Sequence, residues 1–219
     1  MAYRRLWWAI PAVALVAWIA WDLSVTRRHS LADFDPHVVA RLETDMWRSY
    51  YDHRSARLFG ELTELLRTQY HVPFWRSCTG AYHAARAAVV FQRGHQRSDY
   101  ELALPDLRSF YTIIRKGSQT DFPVEDAARL ELEWWIVHRE RAQHPPGDLE
   151  KSLADLQALI YRQPADRFQQ HAQARADAMR IRDTRAESGG VTGADWAQIA
   201  TLLDRSWTSL KTSVDAAAR

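Results

Sequence analysis

Turn signals cut this chain into pieces of helical length. Asp35-Pro36, Val72-Pro73, Gly117, His144-Pro145-Pro146-Gly147, Gln163-Pro164 and Gly189-Gly190 all fall between amphipathic stretches. Proline suits the first turn of a helix and glycine its end, so each of these points stops one helix or opens the next. Asp35 is placed to cap a helix that starts at Pro36. The spacing predicts helices over about 36–53, 55–70, 74–93, 98–116, 123–141, 148–162, 165–185 and 193–213. No run of alternating apolar and polar residues competes as a strand, so the expected fold class is all-α. At 219 residues the chain can hold one domain with a substantial core.

Residues 6–21, LWWAIPAVALVAWIAW, carry no charge, and after Asp22 the residues LSV extend the segment to 25. A bilayer-spanning helix needs about 20 residues. Trp7, Trp8, Trp18 and Trp21 stand near the two ends, where indoles favour a membrane interface. A cleaved signal peptide would place small residues around its cleavage site, whereas Ala20 is flanked by Trp18 and Trp21. The expectation is therefore an uncleaved single-pass anchor over residues 1–29, in the membrane through residues 6–25, with an all-helical repeat-like domain over 30–219. Arg4 and Arg5 on one side match Arg27 and Arg28 on the other. The N-terminal amine tips this balance toward an extracytoplasmic body. Setting aside those four arginines and Asp22, the 29 basic and 27 acidic side chains fall to 25 and 26, a net charge of −1. That body has no nucleic-acid footprint. With Cys78 as the single cysteine, neither an intrachain disulfide nor a cysteine metal site can form.

The helices also repeat. Asp99-Tyr100 and Asp195-Trp196 stand at an offset of 96; the same offset sets Ala103 on Ile199, Leu107 on Leu203, Tyr111 on Trp207 and Ile114 on Leu210. Between them Asp148-Leu149 begins a third copy, followed by Ser152, Leu156 and Ile160. An acidic start followed by residues at i+1, i+4, i+8 and i+12 traces one helical face. DYELALPDLRSFY and DWAQIATLLDRSW resemble the second helix of a tetratricopeptide hairpin, and LIYRQPAD resembles the proline-marked junction that ends such a unit. The resemblance covers residues 74–213 and implies antiparallel hairpins in a short solenoid or bundle that binds a partner protein. Its copies begin at 99, 148 and 195, whereas a tetratricopeptide unit repeats every ~34 residues. LETDMWRSYYDHR, LPDLRSFYTII and ELEWWIVHRE also resemble an uncharacterised family of bacterial helical proteins, which implies no activity.

A few polar side chains break the apolar stripes. In the first body helix Val38, Val39, Leu42, Met46 and Tyr50 share a face, with Glu43, Trp47 and Arg54 along its edge. In LELEWWIVHRE, Glu131 and His138 project from the apolar face of Ala127, Leu130, Trp134, Trp135 and Val137. They are seven residues apart, about 10.5 Å along the axis, and cannot bond to each other. A buried carboxylate needs a partner. Arg86, flanked by Ala84, Ala85, Ala87 and Ala88, is the candidate, paired to Glu131 or Glu43. His29, His37, His95, His144 and His171 read as surface or loop residues.

Three functions follow as expectations. The first is a membrane-anchored scaffold for a protein partner whose identity the sequence does not carry. The second is a carboxylate and histidine metalloenzyme drawing on Glu43, Glu131, His83 and His138. Glu-x-x-His, His-Glu-x-x-His, Gly-x-Ser-x-Gly and phosphate-loop motifs are all absent, so no cofactor or metal is implied. The third is a carrier with an apolar pocket among Trp47, Trp75, Tyr82, Trp134 and Trp135.

Overall fold

The computed structural model describes residues 3–24 and 28–217, with side chains described from residue 11 onward. Asp35 caps the first body helix as the sequence predicts, accepting from the backbone N–H groups of His37 at 2.9 Å and Val38 at 3.3 Å. That helix, α2, is Pro36–Tyr51, and it follows an N-terminal helix α1, Tyr3–Ser24. Then come α3 (Ser55–Thr68), α4 (Phe74–Arg93), the single turn α5 (Arg97–Tyr100) and α6 (Leu104–Gly117). The chain closes with α7 (Val124–Arg139), α8 (Asp148–Tyr161), α9 (Gln169–Glu187) and α10 (Gly193–Ala217). The expected helix over 98–116 is interrupted by a 3-10 turn at Glu101–Ala103. Pro105 explains the break, because its ring excludes the carbonyl four residues before it from a regular helix.

Among the described residues, eight helices form a closed ring. α2 packs on α3, α3 on α4, α4 on α6, and so on in chain order to α10, which returns to α2. Short connections make successive helices antiparallel. The closing seam is antiparallel too: His37 meets Asp204 at 2.5 Å near one end of α2, and Arg48 lies over the Trp196 ring at 5.0 Å near the other. Of the two forms open to the hairpin array, solenoid or bundle, this is the closed one. Repeat positions face inward together, for Tyr111, Ile160 and Trp207 all line the space on the ring axis.

Residues 28–35, ahead of α2, plug one end of the ring. Leu31 and Phe34 are buried there, the Tyr161 hydroxyl donates to the Leu31 carbonyl at 3.1 Å, and Phe34 meets the Trp207 ring edge-on at 5.9 Å. The backbone of His29 bridges Gly117 and Gln119, donating to one at 2.8 Å and accepting from the other at 2.9 Å.

The expected membrane span is corrected. Among the described residues no helix is long and apolar enough to cross a membrane. The side chains of residues 1–10, and residues 25–27 altogether, lie outside the description. Asp22 is a buried acid committed to the body. It accepts from the N–H groups of Phe74 at 3.2 Å and Trp75 at 2.8 Å, and so caps α4, whose own N-cap residue, Pro73, makes no side-chain hydrogen bond. Trp18 stacks on Phe74 at 5.9 Å and meets Trp75 at 5.5 Å. The C-terminal end of α1 is thus tied to α4, while Val13, Val16 and Trp21 remain exposed, and the single-pass localisation, its orientation and the membrane partner are withdrawn with the span.

Asp22→Ala removes this cap and should lower stability in denaturant unfolding by about 0.5–2 kcal/mol, with Asp22→Asn retaining most of it. An unchanged midpoint in Asp22→Ala would mean that α1 does not hold α4.

Candidate functional site: a cavity on the axis of the helical ring

The inner faces of the eight helices enclose a cavity of about 480 Å³. Its floor is apolar, made by Leu31, Leu66, Ile114 and Ile160 beside the plug. The polar groups gather at half depth. Glu43 of α2 accepts from Arg175 of α9, at 2.9 Å from Nε and 2.6 Å from Nη2, and from the Trp207 indole of α10. The Arg175 guanidinium also lies over the Trp134 ring at 4.8 Å. Burial alone would make Arg175 less basic, but the charges of Glu43 and Glu131 outweigh it and hold the guanidinium protonated.

Glu131 is bound differently. Its carboxylate accepts from the Tyr111 hydroxyl at 2.7 Å and the Trp135 indole at 3.0 Å, both neutral donors. Burial, and then the charge of Glu131, push the Tyr111 phenol well above its ordinary pKa, so it stays a proton donor. Burial pushes the neighbouring Tyr70 phenol up to about 12.

Nearer the other end, His138 meets Asp183 at 2.9 Å, and Arg141 approaches the same carboxylate at 3.3 Å. Arg182 lies over the Tyr51 ring at 3.2 Å, with one nitrogen 3.2 Å from Asp183. Burial would raise the Asp183 pKa, but His138, Arg182 and Arg141 together bring it below the usual value. Arg139 donates to the carbonyls of Phe91 at 2.8 Å and Gly94 at 3.0 Å. Of the lining residues Arg141 is the exposed one, which places the mouth at this end.

The sequence candidates divide. Glu43, Glu131, His138, Trp47, Trp134 and Trp135 line the cavity. Arg86 pairs with neither Glu131 nor Glu43. It is exposed on the seam between α4 and α6, 3.3 Å from Asp106, which His83 also meets at 2.8 Å. Trp75 is engaged with α1, and Tyr82 faces outward. The partner of Glu43 is instead Arg175, which sits between Ala174 and Ala176 as Arg86 does between Ala85 and Ala87. An arginine among alanines was a usable signal; it occurs twice, and the second copy carries the pair. His171 is the other correction. It is fully buried against the Trp207 ring at 5.3 Å and the Ser206 carbonyl at 3.1 Å. Among the described residues no three His, Cys, Asp or Glu side chains converge closely enough to hold a metal ion. No family model matches the chain, and neither the curated proteins nor the solved structures hold a match to it.

Replacing either member of the Glu43 and Arg175 pair alone strands a buried charge. Glu43→Leu or Arg175→Met should each cost about 3–5 kcal/mol in denaturant unfolding, and the double variant should recover much of the loss. Simple addition of the two losses would mean that the pair is not coupled.

Burial, reinforced by the charge of Arg175 one turn away, lowers the His171 pKa to about 3 from 6.5. Below pH ~6.5 the unfolded chain takes up a proton here that the folded chain refuses, so stability present at neutral pH is lost as pH falls toward 3. The slope from this one group should approach about 1.4 kcal/mol per pH unit. Stability measured from pH 7 to 4 should therefore fall less steeply in His171→Gln.

Proposed function

We propose that this protein binds a small, mainly apolar molecule inside its helical ring. The observation that carries this reading is the cavity itself: about 480 Å³ on the ring axis, lined by leucines and aromatic rings, with a few polar groups converging at half depth. Ligand sites typically span ~300–1,000 Å³ and have this composition, a mostly apolar wall with few polar groups that fix orientation. A core meant only for stability would be filled, because interiors pack to near-crystalline density and empty volume weakens them. The apolar plug at one end and the Arg141 mouth at the other give a single direction of entry.

A tetratricopeptide-like array that binds a protein partner would use its concave face for the purpose. In a closed ring that face becomes the wall of the cavity, so ligand binding is the better supported of the two readings.

The test is titration with the neutral fluorescent probe N-phenyl-1-naphthylamine, with the cavity filled by substitution as the control. Wild-type protein should bind one equivalent saturably. Ala88→Trp, which places an indole in the cavity wall, should abolish binding while keeping its helical circular dichroism. Absence of saturable binding to the wild type, or equal binding to a folded Ala88→Trp variant, would overturn the proposal.

A further inference from the structure

We infer that the ligand is an organic cation, a protonated amine attached to an apolar body, with its nitrogen at Glu131. The inference rests on the cavity being a ligand site and goes on to name the chemistry that fits it.

The argument begins with a charge balance at half depth. Glu43 and Arg175 neutralise one another through two hydrogen bonds. Glu131 has no cation in contact: its two donors, the Tyr111 hydroxyl and the Trp135 indole, are neutral, it enters no ion pair among the described residues, and Arg175, which feels its charge, is bonded to Glu43. Glu131 retains partial exposure while lining the cavity, so the solvent it meets is in the lumen. An apolar ligand entering the lumen displaces that solvent and lowers the local dielectric. The carboxylate then becomes expensive unless the ligand itself supplies a donor and a positive charge. A protonated amine does both.

The walls suit the same group. Trp134, Trp135, Tyr111 and Phe110 surround this level of the cavity, and aromatic faces attract cations. Arg175 over Trp134 is a cation already held in that way. The cationic groups at the mouth, in contrast, each have a partner on the protein. Arg141 is met by Asp183 and Glu187, one nitrogen of Arg139 donates to two carbonyls, and Arg182 lies between Asp183 and the Tyr51 ring, with its Nε left without a partner. An anionic ligand that passed the mouth would meet the Glu131 carboxylate deeper in.

Three probes of equal length isolate the charge: octylammonium, octan-1-ol and octanoate, titrated into the full-length protein at neutral pH by calorimetry. Octylammonium should bind one to one, the alcohol at least about tenfold more weakly, and octanoate not measurably, since only the ammonium offers the carboxylate a charged donor. Glu131→Gln should reduce octylammonium binding by about tenfold and leave the alcohol unchanged. Should Glu131→Gln fail to fold, Tyr111→Phe serves in its place. It frees a carboxylate oxygen while keeping the charge, so it should preserve or strengthen octylammonium binding and leave octanoate excluded.

Equal affinity for octylammonium and octanol, or preference for octanoate, would overturn the cation while leaving the cavity reading intact. If N-phenyl-1-naphthylamine and all three octyl probes fail together, the ligand site itself falls.

Discussion

The bond between Glu43 and Arg175 joins residues 132 positions apart, and the closed ring depends on it. One carboxylate on α2 receives the guanidinium of α9 and the indole of α10, so a single side chain gathers the first helix of the ring and its last two. Burying such a pair is costly in itself, and its value lies in the specificity it imposes on how the helices meet. A helix array with only apolar inner faces could slide or open. A slid arrangement that kept Glu43 buried but parted it from Arg175 would leave a stranded charge.

Closure has a functional consequence. It turns the inner face of a helical array, which would otherwise be a surface, into the wall of a chamber. The polar groups left inside that wall are then few enough to act as instructions. Glu43 is neutralised by the protein, Asp183 is surrounded by His138, Arg141 and Arg182, and Glu131 alone is left to neutral donors. The two phenols near it remain protonated because burial opposes their ionisation.

Much of the fold was legible in the sequence because proline and glycine act locally. Asp35-Pro36, Val72-Pro73 and Gly189-Gly190 mark boundaries that the folded chain respects within a few residues, and the repeat that aligns Tyr111 with Trp207 identifies two side chains that each donate to a carboxylate in the cavity. What the sequence hid is non-local. Arg175 lies in QQHAQARADAMRIRDTRAE, a helix whose many charges read as solvated; its small alanines let neighbouring helices come close enough to bury the guanidinium. His171 was hidden for the same reason. The apolar run of α1 carries the composition of a span, but the decisive residue is Asp22, whose role as a cap depends on a helix start 52 residues later.

Ring closure can be measured directly at the seam between α2 and α10. With Cys78→Ser to remove the native thiol, His37→Cys and Asp204→Cys place two thiols where the native side chains meet at 2.5 Å. A short bifunctional thiol reagent applied to dilute native protein should join them within one chain, nearly to completion. In an open solenoid the first and last helices stand at opposite ends, so recovery of uncrosslinked protein, or crosslinks only between chains, would contradict the closed ring.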